Sequence, residues 1–353
     1  MKLPLMPPVA PMLARAVGDI PLGDYSYEPK WDGFRAIVFR DGDEVEIGSR
    51  NGKPMTRYFP EVVAAIRSGR PDRCVLDGEI VVPDLVRGRL DFEALQQRIH
   101  PAESRIKLLA QRTPAHYVAF DVLALGDRDL TGEPFEERRR ALEEALADAQ
   151  PPIHITPATR DPEVAGRWFG EFEGAGLDGI VAKPLEGVYQ PDKRVMLKVK
   201  HARTTDCVVA GFRAYKADRQ AVGSLLLGLY DDDGGLVNVG VVGAFSTGRR
   251  RALFEELQPL VTTFEAHPWD WAGETSTRTP RSSESSRWSA GKDLTFVPLR
   301  PERVVEVRYD HMEGDRFRHT AQFVRWRPDR DPRSCTLRQL EEPIQFDLSG
   351  VLG

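Results

Sequence analysis

Cysteine is scarce in this sequence: Cys74, Cys207 and Cys335 are the only three in 353 residues. Their number is odd, they lie far apart, and none belongs to a C-x-x-C pair. Neither a disulfide framework nor a cysteine-ligated zinc site is expected, and a reducing compartment fits this usage. Long apolar runs are also missing. No stretch approaches the roughly 18 apolar residues of a membrane span, and prolines interrupt Met1–Pro8 before an apolar helix can form. Neither secretion nor membrane insertion is expected, so the cytoplasm is the expected location. Excess positive charge is absent as well. A net charge of −5 gives no general attraction to nucleic acid, so polyanion binding must rely on local patches. One such patch is Arg316, Arg318, Arg325, Arg327, Arg330, Arg333 and Arg338, opposed within 316–338 only by Asp329 and Asp331.

What remains is ordinary for a globular chain, with 41% hydrophobic and 29% charged residues, and the length predicts two domains. The stretch that organises the rest is Tyr25–Arg35. Strand alternation puts Glu28 and Lys30 on one side and Tyr27 and Pro29 on the other, before Asp32-Gly33 breaks the strand. An acid and an amine then share a face beside a turn. A lysine becomes a nucleophile only when its amine is neutral part of the time, which nearby cations or burial bring about.

Residues 1–22 are proline-rich and predict an extended surface segment. Ala36–Arg40 and Glu44–Gly48 flank Asp41-Gly42 as a hairpin, and Arg50 follows at a strand end in a polar loop. Pro60–Ile66 has helical apolar spacing with Gly69 after it, and Asp91 is placed to cap a helix reaching His100. Val75–Val82 is an apolar strand carrying Asp77 and Glu79 at the same parity. Two carboxylates on a buried face are costly unless they meet a cation, a hydroxyl or a metal. Ala115–Leu125 is a second buried strand, with Phe120 next to Asp121. Pro134–Ala149 and a segment begun by Asp161-Pro162 read as amphipathic helices whose aromatics belong to the core. Asp178 and Lys183 fall on opposite strand faces, so both reach one pocket only if Asp178 still lies in the turn. Lys198 and Lys200 share a side of Met196–Lys200 and repel unless an anion lies between them.

Beyond His201 the texture changes to short alternating strands: Asp206–Ala214, Gly223–Tyr230, Leu236–Gly243, Arg303–Tyr309 and Arg316–Trp326. A helix near Arg249–Leu257 interrupts them. This pattern predicts a small closed barrel of the oligonucleotide-binding type over 201–353. The Ser/Thr/Arg-rich stretch 273–292 has no periodicity and is expected to be mobile, whether as a clasp for a polyanion or as a plain loop.

Taken in order, Lys30-Trp31-Asp32-Gly33-Phe34-Arg35, Ser49-Arg50-Asn51-Gly52, Asp77-Gly78-Glu79, Phe120-Asp121, Asp178-Gly179-Ile180-Val181-Ala182-Lys183 and Leu197-Lys198-Val199-Lys200 resemble the motif series of the covalent nucleotidyltransferases. Arg318 with Phe323–Arg330 is similar to the closing motif of ATP-dependent DNA ligases. The resemblance spans nearly the whole chain and is closest to small two-domain bacterial enzymes of the Ligase C type. Two positions depart from it, Asp178 where glutamate is usual and Gln322 where arginine is common.

The resemblance implies an α+β nucleotidyltransferase (ATP-grasp-like adenylation) domain at 1–200, followed by an all-β OB-fold barrel at 201–353. It implies that Lys30 attacks the α-phosphorus of ATP to carry AMP covalently, and that Glu28 bonds the adenine amino group. Phe120 stacks on the base, and Arg35, Arg50, Lys183, Lys198 and Lys200 bind ribose or phosphates. Glu79 holds the ribose or a metal-bound water, and Asp178 helps to place Mg2+ or Mn2+. Arg318, Arg325, Asp329 and Arg330 orient the departing pyrophosphate. The implied substrate is nicked double-stranded DNA, joined by a monomer at the bacterial nucleoid alongside DNA repair proteins. Two rival readings are an RNA-joining or capping enzyme using the same lysine, and a non-catalytic DNA-binding protein that kept the fold.

Overall fold

The computed structural model describes residues 1–201, 203–270, 295–310, 312–340 and 347–352, so the stretch 273–292 lies outside the described residues. The chain divides into two compact units, Met1–His201 with Pro343–Gly353, and Ala202–Glu342.

The first unit is built on two sheets. The smaller runs Ala14–Ala16, Met196–Val199, Ile180–Pro184, Tyr25–Pro29; the larger runs Ile153–Ile155, His116–Leu125, Arg73–Val81, Phe34–Asp41, Glu44–Ser49. Strand alternation sorts their side chains. Ala36, Val38, Ile47 and Leu76 pack with Val62, Ile66 and Leu142 from the helices Pro60–Ser68 and Phe135–Ala145. Ile37, Phe39 and Val75 point the other way and meet Leu123, Tyr189 and Met196. The outer face of the small sheet, Tyr27, Ile180 and Ala182, is covered by Ala165 of helix Pro162–Glu171. Asp77 and Glu79 share parity with Val75, so both acids face the layer between the sheets.

Several local expectations need adjusting. The N-terminal segment, expected to lie extended on the surface, is extended where Ala14–Ala16 pairs in parallel with Met196–Lys198, but it buries Leu3 and Met12. The helix capped by Asp91, whose carboxylate accepts from the Ala94 N–H at 2.8 Å, stops at Gln97. Arg98 then turns inward to Glu61 at 2.6 Å. A helix at Glu103–Arg112 was not foreseen.

The second unit is a five-stranded antiparallel sheet in the order Leu236–Val242, Asp218–Tyr230, Arg203–Tyr215, Val297–Tyr309, Gln322–Trp326. It curls until Val242 bridges Ala321, just ahead of the last strand. Bulges such as that between Val209 and Gly211 supply curvature, and a Cβ on Gly211 would lie 2.9 Å from the Val297 carbonyl oxygen. Helix Thr247–Leu257, capped by Ser246, buries Leu253 and Leu257 against the sheet. The expected strand Arg316–Trp326 is two strands, Arg316–Phe317 and Gln322–Trp326. The polar run Arg318-His319-Thr320 between them has no alternating apolar face to pair.

This unit ends at Glu342 rather than running to 353. Leu348, Val351 and Leu352 instead join the core of the first unit. Their anchor is a pair of stacked imidazoles. The Nδ1–H of His154 donates to the Leu352 carbonyl at 2.9 Å, and His116 Nδ1 lies 2.8 Å from His154 Nε2. Burial lowers both pKa values, that of His116 to about 4, and each ring's neighbour or bond adds to the effect or opposes it. Among the described residues, no helix is long and apolar enough to cross a membrane.

A histidine pKa lowered by folding leaves stability intact above its ordinary 6.5; the unfolded chain gains protons first as pH falls toward about 4. Acidification across that window is expected to cost about 1–2 kcal/mol, His116 being part-exposed. Thermal melts should show a shallower decline for His116→Gln than for the wild type; parallel declines would contradict this.

Candidate active site

Register on the small sheet sets the first half of the site. Val181 lies opposite Glu28 on one side and Lys198 on the other, and Lys183 lies opposite Ser26, so Glu28, Lys183 and Lys198 share the face toward the large sheet. Lys30 follows at the strand's end. Its N–H donates to the Gly179 carbonyl at 2.8 Å, and its own carbonyl accepts from the Asp178 N–H at 2.9 Å. Asp178 and Gly179 precede strand Ile180–Pro184, which meets the condition for Asp178 to share a pocket with Lys183. The turn needs glycine: Gly179 has φ +125°, and a Cβ there would lie 2.0 Å from the Val199 carbonyl oxygen.

Lys30 Nζ donates to Asp178 Oδ2 at 2.7 Å, and Lys200 Nζ approaches the same oxygen at 2.8 Å. Within the site, then, the anion beside the lysine pair is Asp178. Burial would raise the Asp178 carboxyl, but Lys30 and Lys200 outweigh it and hold the pKa below the usual carboxylate range. Burial lowers the Lys198 pKa, and repulsion from Lys30, Lys200 and the exposed Arg50 adds to this. Lys30, Arg50, Lys198 and Lys200 thus contribute to one positive field.

Glu28 lies deeper. Its Oε2 is 2.7 Å from Lys183 Nζ, while its Oε1 is buried with no hydrogen-bond partner among the described residues. Arg139 Nη1, also without a hydrogen-bond partner, stands 3.7 Å from Oε1. Burial pushes the Glu28 carboxyl up, against the pull of Lys183 and Arg139. Lys183 donates to the Phe120 carbonyl at 2.8 Å and lies 4.6 Å from that ring's centre, with burial lowering its pKa. Arg139 escaped the sequence reading because it sits in the run Arg138-Arg139-Arg140. The signal was available: Arg138 and Arg139 are three and four residues after the buried Phe135, on the inward face.

On the large sheet the two acids differ. Asp77 takes both arms of Arg35, each at 2.6 Å, and accepts from the Tyr189 hydroxyl at 2.8 Å. The paired guanidinium lies 4.4 Å from the centre of the Phe120 ring, which is 7% exposed. Glu79, directly opposite Arg35, is pushed by burial up to about 7, against the pull of Arg35 and Lys30. Asp77 therefore orients Arg35, and Glu79 is the acid that senses Lys30.

The orphaned Glu28 Oε1 fits a purine amino group, an N–H donor, and the lysine field fits phosphates. For a metal, the available donors are the carboxylates of Glu79 and Asp178. Among the described residues, no group of three or more His, Cys, Asp or Glu side chains forms a cage. Two carboxylates suit Mg2+ or Mn2+, which keep waters and take further oxygens from phosphate.

The second unit carries its own charged cluster. Arg327 is its hub, 3.0 Å from Asp206 and 2.9 Å from Asp329, with Arg330 at 3.6 Å from Asp206. Arg325 pairs instead with Glu306 at 2.6 Å. Arg318, in the bend after Phe317, has its pKa lowered by burial to about 10. The structure thus gathers Asp329 and Arg330 around Arg327, which sequence reading placed only in the basic patch. Arg325 borders this cluster, close enough to help lower the Asp329 pKa, and its partner Glu306 acts on Arg327 as well.

Comparison with known proteins gives a consistent picture. Residues 11–200 match the family model "ATP dependent DNA ligase domain", and residues 218–330 match "ATP dependent DNA ligase C terminal region". DNA ligase C of Mycobacterium tuberculosis is 66% identical over 357 residues, covering 100% of this chain and 99% of that protein. DNA ligase C1 of Mycolicibacterium smegmatis is 52% identical over 361 residues, with the same coverage. The "Multifunctional non-homologous end joining DNA repair protein LigD" of Mycobacterium tuberculosis is 32% identical over 330 residues, 92% of this chain and 39% of that protein. A solved structure titled as an analysis of Lig E DNA ligases shares the fold, with TM-score 0.56 and 18% identity over 90% of this chain and 99% of that one.

Gly179→Ala should force the turn away from Val199 and carry Asp178 off Lys30. Joining of nicked DNA is expected to fall about 100-fold or more, in a protein whose melt still shows a cooperative fold. Undiminished joining would contradict the role given to this turn.

Proposed function

The chain belongs to the ATP-dependent DNA ligases, and from that footing we propose how its residues divide the work of sealing a nick. The neutral Lys30 amine attacks the α-phosphorus of ATP; a nitrogen–phosphorus bond forms, and pyrophosphate leaves with the bridging electron pair. As that bond forms the nitrogen must lose a proton, and Asp178, 2.7 Å from Nζ, is the nearest group to take it. The DNA 5′-phosphate then displaces the lysine from AMP, and the 3′-hydroxyl displaces AMP to close the backbone.

Each step exchanges one bond at phosphorus, so positioning and cationic stabilisation carry the catalysis. Lys198 and Lys200 stabilise charge on the α-phosphate, with Arg50 at the rim. Once phosphates occupy this field, Lys200 and Lys30 need no longer share Asp178. Glu28 Oε1 accepts from the adenine amino group, Phe120 stacks on the base, and Lys183 fixes both. Arg35, held by Asp77, faces the ribose. Glu79 and Asp178 would hold Mg2+ or Mn2+, which would supply electrophilic activation of the phosphate oxygens. In the second unit, Asp329 and Arg330 with Arg318 and Arg325 orient the pyrophosphate, and Arg327 ties that cluster to Asp206. The substrate is nicked duplex DNA in repair, joined by a monomer in the bacterial cytoplasm, at the nucleoid, in the company of repair proteins.

The observation that carries this reading is the pinned amine: Lys30 is tied through its backbone to Asp178-Gly179 and points its side chain, 20% exposed, into the lysine field. Incubation with ATP labelled at the α-phosphate should leave a denaturation-resistant labelled band, absent in Lys30→Ala. A labelled mutant would refute the assignment. Glu28→Gln should raise the KM for ATP about tenfold, the loss of one charged hydrogen bond, and narrow the preference for ATP over GTP. An unchanged preference would remove Glu28 from base recognition.

A further inference from the structure

We propose that the segment 347–352 is a positioning element for lysine adenylylation, acting through the floor beneath Lys30, Asp178, Glu79 and Phe120. The inference rests on the reading of Lys30 as the nucleophile.

One apolar cluster contains Trp31, Val81, Leu90, Val118, Phe172, Ala175 and Leu177 together with Leu348, Val351 and Leu352. Its membership follows the active site closely. Trp31 is the chain neighbour of Lys30, and Leu177 is the neighbour of Asp178. Val81 lies two residues beyond Glu79, on the same face of its strand. Val118, two before Phe120, is the cross-strand partner of Glu79. Four site residues from four segments are therefore seated on one floor, and the segment that follows the second unit in the chain forms one wall of it.

The wall is fixed on three sides. Leu348 is fully buried, and its N–H donates to the Gly88 carbonyl at 2.9 Å, tying it to the turn between Asp84 and Arg89. Asp347 caps the short helix Ser349–Leu352 by accepting from the Ser349 N–H at 3.0 Å. At the far end the Leu352 carbonyl accepts from His154 at 2.9 Å. Trp31 is held from the other side, its indole N–H donating to Thr156 Oγ1 at 2.8 Å. Trp31 is 5% exposed and packs in the same cluster as the wall, so close packing restrains its ring. Removing the wall frees Trp31 and Leu177 to move, and with them the backbone crossing that aligns Lys30 with Asp178-Gly179. A shift of about 1 Å at a reacting atom is enough to slow a reaction by about two orders of magnitude. None of the six residues of the segment contacts a proposed nucleotide-binding side chain in any described hydrogen bond or ion pair. Glu79 and Phe120 are also held by the pairing of Arg73–Val81 with His116–Leu125, whereas Lys30 and Asp178 lie beyond their strands' ends, so the effect should fall on turnover rather than on ATP affinity.

The test compares wild type, Leu348→Ser, Leu348→Met and Val351→Ala in single-turnover AMP labelling across ATP concentrations. All are assayed at a temperature where thermal melts show each to be folded. Leu348→Ser is expected to cut the maximal labelling rate about tenfold or more while leaving the half-saturating ATP concentration within about twofold. Leu348→Met, which refills the space, should return near the wild-type rate. Val351→Ala keeps the test open if Leu348→Ser does not fold, and should fall between them. Equal maximal rates in the folded variants, or a change confined to ATP affinity, would overturn the proposal. Absence of label on the wild type would instead sink the nucleophile reading on which it rests.

Discussion

A single carboxylate oxygen, Asp178 Oδ2, bonded at once to Lys30 and Lys200, is the interaction on which the site depends. Without it, amines converging from two segments would repel and drive the turn open. With it, the amines stay gathered where an anion can replace the carboxylate. Burial opposes the charge on Asp178, yet the two amines keep it ionised. The same exchange of one anion for another links resting structure to reaction.

That arrangement needs a rigid frame, and the two sheets supply it. The strand Tyr25–Pro29 is paired along its length with Ile180–Pro184, so Lys30 and Asp178 emerge at the same end. On the opposing sheet, the register of Phe34–Asp41 with Arg73–Val81 sets Arg35 across from Glu79 and lets it reach back to Asp77. Buried charges are costly alone, and here nearly every one has an opposite partner: Arg35 with Asp77, Arg138 with Asp121, Glu28 with Lys183. At the site, Glu28 Oε1 and the facing Arg139 Nη1 have no hydrogen-bond partner among the described residues, which makes that spot informative.

Much of this was legible in the sequence because strands obey a period of two. Parity alone put Asp77 and Glu79 on one face, Lys198 and Lys200 on one side, and required Asp178 to sit in a turn. Parity could not say which acid serves structure and which faces Lys30, since that depends on a cross-strand neighbour chosen by tertiary register. Arg139 was hidden in a run of three arginines whose outward members look alike in one dimension. The return of Leu348–Leu352 to the first unit was invisible for another reason. A short apolar segment carries no periodicity, and only a groove formed by residues hundreds of positions earlier gives it a place. The strand Ala14–Ala16 and the split of Arg316–Trp326 follow the same logic, because an edge pairing is settled by its partner rather than by local propensity.

The central claim is that the Lys30 amine, held over Asp178, becomes bonded to a nucleotide. Its most direct measurement is tandem mass spectrometry of the protein after incubation with ATP and Mg2+, digested under neutral conditions that spare phosphoramidate bonds. The account predicts one AMP adduct, on the peptide containing Lys30 and localised to that side chain. An adduct on Lys198, Lys200 or any other residue in place of Lys30 would contradict it.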